Sequence, residues 1–193
     1  MFRDFETYLH TKASLTEEEL ELIRTLSSEK KVRRRQLLLT EGEVCRYKIF
    51  VCKGLLRHYR VTDDGTEHIL RFVAEDEWTT EPESYNNRTP SKYNIEALED
   101  TEVIVWTHEN LQRLLGAIPS LKSILEQLVM TSLGAIQHRM FKQVSYTAEE
   151  KYKDFITSLP HVFGRVPLEM IASYLGLSRK TLTRIRHAQV KQQ

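Results

Sequence analysis

Between Arg33 and His108 the chain is written in short apolar or alternating runs, QLLL, KIFVC, LLRHYRV, HILRFV, NIEAL and EVIVW, separated by EGE, KG, DDG and NNRTPS. Runs of that length, with turn residues between them, predict strands. Many short strands in close succession predict a β-roll or barrel. TDDGTE, Thr62 to Glu67, joins two of the runs with the Asp-Gly pair that a tight hairpin favours, because glycine reaches positive φ without a Cβ clash.

Helical periodicity brackets this region. The first thirty residues read helical, with Phe2, Phe5 and Leu9 on one stripe and Leu20, Leu22, Ile23 and Leu26 on another. Thr16, followed by Glu17 to Glu19, supplies a cap and favourable first-turn charge. The period returns near Glu109 and continues past a proline to Val144, where two stripes run side by side. Leu121, Leu125, Leu128, Ser132 and Ala135 alternate four and three, the spacing of a helix meeting its twin in a symmetric dimer, with Ser132 and Ala135 allowing close approach. Ile124, Val129, Leu133, Ile136 and Met140 then remain to cover the strands. The alternative is a helix wholly inside one subunit's core. TAEE, Thr147 to Glu150, has capping-box spacing and starts a further helix, KYKDFITSL, that Pro160 ends.

Composition narrows the partners. The chain has 193 residues, 40% hydrophobic and 28% charged, with a formal net charge of +1, so any nucleic-acid surface must be local rather than a uniform basic coat. No apolar run is long enough to span a membrane and MFRDFETYLHTK lacks a signal-peptide core, so the expected location is cytoplasmic, without a membrane partner. Cys45 and Cys52 read as buried thiols, the alternative being a disulfide or metal pair.

Positive charge gathers at one place, IASYLGLSRKTLTRIRHAQ, with no acidic residue after Glu169. Pro167 suits a first helical turn, and Leu168, Ile171, Ala172 and Leu175 form an inward face. Gly176 suits the left-handed position that ends a helix, Leu177 can turn inward, and Ser178 can cap the next helix. In that second helix Leu182 and Ile185 face the first, while Lys180, Arg184, His187 and Lys191 fall opposite. This pattern predicts a helix-turn-helix, whose second helix enters the DNA major groove with its first residues at the base edges. The candidate DNA-binding residues are Ser178, Arg179, Lys180, Thr181, Thr183, Arg184 and His187. Arginine matches guanine O6 and N7 with a fork of donors, lysine donates to the same acceptors, and the threonines suit phosphate. A solvated basic helix end accounts for Arg186 and Lys191 through the helix dipole but not for Arg179 and Lys180 at the start.

Together these elements resemble the Crp/Fnr family of bacterial transcription regulators over almost the whole chain. TEGEVCRYKIFVCKGLLRHYRVTDDGTEHIL is similar to the family's glycine-marked roll, with Gly42, Gly54 and Gly65 in the usual places, and VPLEMIASYLGLSRKTLTRIR to its DNA-reading head. The resemblance implies an α+β fold. An N-terminal β-roll of the double-stranded β-helix, cyclic-nucleotide-binding kind with flanking helices would occupy 1–118, a dimerisation helix 119–145, and the helix-turn-helix 146–193. It further implies a homodimer on double-stranded DNA, RNA polymerase as another partner, and no enzymatic activity. In the family the SR opening the recognition helix and an arginine one turn later touch bases, and Arg179 and Arg184 hold those positions. Lys180 stands where the best-known members carry glutamate; glutamate accepts from cytosine N4 and lysine does not, so a different half-site is expected.

For the effector, the resemblance points to EWTTEPESYNNRTPSKYNIEALEDTEV and to Glu81, Arg88, Ser91 and Tyr93. Glu81 matches the ribose glutamate of cyclic-nucleotide binders, but Thr80 replaces its glycine, Ser91 stands at the phosphate arginine, and bulky Tyr93 follows. A buried phosphate without its arginine loses a bidentate charged partner, so cyclic AMP is not the expected effector, and the roll takes another small molecule or none. No cofactor is expected otherwise. An iron–sulfur centre wants more cysteines than Cys45 and Cys52, and haem ligation by His58, His68 or His108 has only isolated strand histidines to draw on. The competing readings are a cupin-like metal enzyme, for which no His-x-His pair occurs, and a ligand-binding roll whose helix-turn-helix contacts protein. The few residues after Arg186 are too short for the family's β-hairpin wing, which would remove some phosphate contacts.

Overall fold

A computed structural model describes residues 1–190; Lys191, placed on the basic face by its spacing, lies outside the described residues. Two compact units emerge, Met1–His58 with Phe72–Met130, and Tyr59–Arg71 with the chain from Thr131 onward.

In the first unit, α1 (Phe2–His10) and α2 (Glu17–Thr25) lead into strands. Thr16 accepts from the Glu19 N–H while the Glu19 carboxylate accepts from the Thr16 N–H, a complete capping box. The helical reading stops short of residue thirty, because Ser28–Val32 forms β1, antiparallel to β8 (Thr101–Thr107). SEKKV buries only Val32, which an edge strand tolerates with its single neighbour, and its lysines discourage further pairing.

The remaining strands are β2 (Leu37–Leu39), β3 (Tyr47–Lys53), β4 (Leu56–Val61), β5 (Glu67–Val73), β6 (Trp78–Thr79) and β7 (Asn94–Ala97), with the short helix α3 (Pro82–Asn87) before β7. They make two four-stranded sheets, β1-β8-β3-β6 and β2-β7-β4-β5, the expected β-roll within an α+β chain. Ile49 pairs with Val105 and Phe50 with Ile104, so alternate side chains leave opposite faces of the first sheet. The Phe50 face lies under α1, where Phe5 sits 4.7 Å from Phe50 and 5.1 Å from Trp106 between ring centroids. The Ile49 and Val105 face looks the other way and is also buried. Gly54 turns β3 into β4 at φ 105, with Thr101 standing where a Cβ would need to go, so a side chain there meets both strain and collision.

The predicted hairpin joins β4 and β5, with Gly65 at φ 80. Its loop is longer than a two-residue turn, because the closing pair is Thr62 and Thr66, whose N–H and carbonyl meet at 3.0 Å. Asp64 stitches it, accepting from the Thr62 hydroxyl at 2.6 Å and from the Thr66 N–H and hydroxyl at 3.1 and 3.0 Å; these bonds hold its carboxyl down at about 2. Cys45 and Cys52 are free buried thiols, and burial pushes Cys52 up to about 12, away from thiolate chemistry.

Helix α4 (His108–Ala117) precedes the long α5 (Pro119–Ser145). Here burial divides the long helix along its length rather than between the two stripes, with Ser132 and Ala135 exposed. Leu121 and Leu125, expected at a dimer interface, are buried in their own subunit's core, and Leu128 packs half-buried against it. Ile124 is buried as expected, but Val129, Leu133, Ile136 and Met140, expected to cover the strands, are exposed. The four-three spacing describes a straight apolar seam; it carries no information about which neighbour fills it.

The second unit contains α6 (Ala148–Ser158), α7 (Pro160–Phe163), α8 (Leu168–Leu175) and α9 (Arg179–Val190). Thr147 and Glu150 close the start of α6 as a capping box, and Pro160 ends that helix and opens the next.

Candidate nucleic-acid interface

The helix pair α8 and α9 is built around one turn. Gly176 takes φ 66 and ψ 35, its N–H reaching the Ser173 carbonyl at 3.2 Å while the Leu177 N–H reaches Ala172 at 2.9 Å. This reciprocal pair satisfies the last carbonyls of α8 and reverses the chain in a Schellman motif. Ser178 then accepts from the Thr181 N–H at 3.0 Å, capping α9. Pro167 is the residue that leads α8 rather than a member of its first turn.

Packing decides which face of α9 is presented. Leu182 is 0% and Ile185 2% exposed, buried together with Ile171, Ala172 and Leu175 of α8 and Tyr152 and Phe155 of α6. The opposite face carries exposed Arg179, Lys180, Arg184, Arg186 and His187. Arg179 reaches Glu169 of α8 at 3.6 Å, but both side chains are about 70% exposed, so the pair is weak and exchangeable for a phosphate or base edge. Thr181 and Thr183 are half-buried. The Thr183 hydroxyl donates to the Arg179 carbonyl at 2.9 Å, and the Thr181 hydroxyl lies 2.8 Å from that of Ser178, so both are engaged within the helix start. The arrangement is a rigid helix offering guanidinium and ammonium groups ahead of its hydroxyls.

Two supports of this head were missed by periodicity. Ser173 on α8 donates to the Glu67 carbonyl at 2.6 Å and accepts from the Ile69 N–H at 3.0 Å, tying the β5 backbone to the reading head within one unit. Arg139 of α5 lies 4.0 Å from the Tyr174 ring and donates to the Tyr174 carbonyl at 3.3 Å; burial lowers its pKa. A lone serine and a lone arginine on helix faces carry no sequence signal for such contacts.

The residues expected to hold an effector lie in the first unit and are engaged with their own chain. Glu81 is 5% exposed, and its carboxylate accepts from the Glu83 and Ser84 amides at 3.3 and 2.7 Å, capping α3. Arg88 ends that helix in the left-handed conformation at φ 58, with its side chain exposed. The buried Ser91 hydroxyl donates to the Tyr93 carbonyl at 2.8 Å, and Tyr93 is half-buried. A cavity of about 310 Å³ in the same unit is lined by other residues, Lys30, Gln36, Leu38, Tyr47, Ile49 and Val105 among them. His58 is buried with its Nε2 2.7 Å from the Thr79 hydroxyl, His68 is exposed, and the His108 ring lies 5.2 Å from that of Tyr85 at a tilt of 52°. Among the described residues no three His, Cys, Asp or Glu side chains are grouped as metal ligands, and no helix is long and apolar enough to cross a membrane.

Residues 29–117 match the cyclic nucleotide-binding domain family. The chain is 26% identical to the fumarate and nitrate reduction regulatory protein of Yersinia pestis, with 89% of this chain and 73% of that one covered. Among solved structures, FixK2 from Bradyrhizobium japonicum superposes with a TM-score of 0.74 at 21% identity, covering 86% of this chain and 85% of that one. A Crp/Fnr regulator from Eubacterium rectale gives 0.71 at 20% identity, covering 92% and 85%. The chain is similar in sequence to the first of these regulators and shares the fold of the other two. The domain match covers the glycine-marked roll, and α8 and α9 follow the long helix.

Proposed function

We propose that this Crp/Fnr homologue is a non-enzymatic regulator of transcription in the cytoplasm that reads a near-palindromic DNA site as a homodimer, through Ser178, Arg179, Lys180, Thr181, Thr183, Arg184 and His187. One observation carries the reading: Leu182 and Ile185 lock one side of α9 while Arg179, Lys180 and Arg184 stand exposed on the other. Such a helix can bring donors to guanine edges without unfolding anything. Lys180 selects against a half-site built around a glutamate–cytosine contact. RNA polymerase is a further partner of the same reading, with residues 1–118 sensing, 119–145 pairing and 146–193 reading DNA.

The exposed side of α5 supports pairing. Val129, Leu133, Ile136 and Met140 are each more than half exposed, beside exposed Ser132 and Ala135, a contiguous apolar face that water disfavours and a second copy would bury. Glu81, with both carboxylate oxygens already accepting backbone amides, favours an effector other than cyclic AMP.

Selection of bound fragments from random DNA tests the reading. A recovered palindrome, bound with a steep salt dependence, is the expected result, and recovery of no sequence with or without metabolite extract overturns it. On the recovered site Arg184→Ala should cost about 1–3 kcal/mol and blur the preference at one base; an equal loss on every sequence makes Arg184 a phosphate contact instead.

A further inference from the structure

The 310 Å³ cavity lies between the two sheets at the end of the roll where β1, β2, β3 and β8 meet. Its floor is apolar: Val32, Ile49 and Val105 are buried and Leu38 is half-buried. At its mouth Lys30 extends an exposed side chain from the same strand face as Val32, and its ammonium rests 4.0 Å from the centroid of the Tyr47 ring, another lining group. The ring steadies the cation without neutralising it. Lys31 also lines the cavity but pairs with Glu102 at 3.5 Å, whereas Lys30 makes no ion pair with a described residue.

The surroundings reinforce this sign of charge. No acidic side chain lines the cavity. The next turn carries Arg33, Arg34 and Arg35, all exposed. It is held tightly, with Arg35 at φ 69, its N–H on the Ala97 carbonyl at 2.7 Å and the Arg34 N–H on Asp100 Oδ1 at 2.9 Å. These arginines follow the lining residue Val32 directly in the chain, and the next residue, Gln36, lines the cavity.

We propose that this cavity binds a small amphipathic carboxylate, its apolar body against Ile49 and Val105 and its head at Lys30. The volume is at the low end for ligand pockets, which suits a body of about ten non-hydrogen atoms rather than a nucleotide. Of the two lysines that line the cavity Lys31 is paired with Glu102, so one uncompensated ammonium is left at the wall, which matches one singly charged head better than a polyphosphate. The site shares no residue with Glu81, Arg88, Ser91 and Tyr93.

Octanoate, kept below its micelle concentration, is titrated into the full chain and followed by amide NMR, with octanamide as the neutral comparator. The expected result is saturable shifts at Lys30, Gln36, Tyr47 and Ile49, with octanamide weaker by about tenfold or more. Lys30→Gln, at an exposed position that leaves folding intact, should erase the difference between the two ligands. Leu38→Trp should abolish both responses by filling the hole. Unsaturable shifts, shifts confined to the exposed side of α5, or unchanged octanoate binding by Lys30→Gln overturn the proposal. The measurement involves no DNA, so its failure leaves the regulator reading standing, and failure of DNA selection leaves this one standing.

Discussion

The two halves of α5 are opposite in construction. In Pro119–Met130, Leu121, Ile124 and Leu125 are buried while Lys122, Ser123, Glu126 and Gln127 face water, the ordinary amphipathic arrangement. After Thr131 the order inverts. Leu133, Ile136, Met140, Phe141 and Val144 are 51%, 57%, 65%, 60% and 90% exposed. The contacts to the chain's own neighbours are made by polar groups: Arg139 and Gln143 donate to the Tyr174 carbonyl, and Lys142 pairs with Asp154 of α6. Here the helix turns its polar side to its own chain and its apolar side to water, an arrangement that water disfavours. Burial in the first half stabilises the fold; in the second half the same residue types lie exposed, which is the face the proposed pairing would use.

Substitutions that separate fold from assembly can break this contrast. The largest effect belongs to Leu121→Ala, which leaves a hole in a fully packed core and should lower stability by about 2–5 kcal/mol in denaturant unfolding. A loss near zero would mean the first half is not core. Next comes Leu133→Glu, on the exposed side. It should leave the protomer's stability within about 0.5 kcal/mol while sedimentation reports monomers and DNA affinity falls. A persistent dimer would exclude that face from the interface, and unfolding would mean the second half packs like the first. The smallest effect lies at the start of α6. The Thr147 backbone and hydroxyl bonds hold the Glu150 carboxyl below its ordinary range. A depressed carboxylate supports the folded state above the ordinary carboxylate pKa and loses that support as pH falls through the lowered value. Amide exchange in the first turn of α6 should therefore speed up as pH drops from about 5 to about 3, once corrected for intrinsic exchange rates. Glu150→Gln should abolish that acid dependence, whereas Thr147→Ala removes only the hydroxyl bond, keeps the backbone one and should weaken it; an unchanged profile in Glu150→Gln would show that the cap contributes nothing there.

Local chemistry was legible residue by residue. Thr16 and Thr147 as caps, Gly176 as the left-handed end of α8, Ser178 as the cap of α9, and Leu182 and Ile185 as its anchors were all readable from spacing, because each depends on neighbours within a turn or two of chain. The same holds for the strand runs of the roll, whose alternation and turn residues are properties of the segment itself. β1 escaped because an edge strand needs so little burial that SEKKV shows no alternation. The engagement of Glu81 with α3 escaped too, since a glutamate before a proline looks the same whether its carboxylate meets a ribose or its own backbone amides.

What the sequence determined alone was the kind of elements, their order, and the basic exposed face of α9, because hydrogen-bonding geometry and apolar period are written locally. Only the tertiary structure decided which apolar stripe of α5 enters the core, that Ser173 grips the β5 backbone, and that Lys30 stands over a cavity walled by Ile49 and Val105. Each of these depends on residues far apart in the chain arriving at one place. A side chain's partner across such a gap is set by how the layers close, and one-dimensional spacing carries no term for that closure.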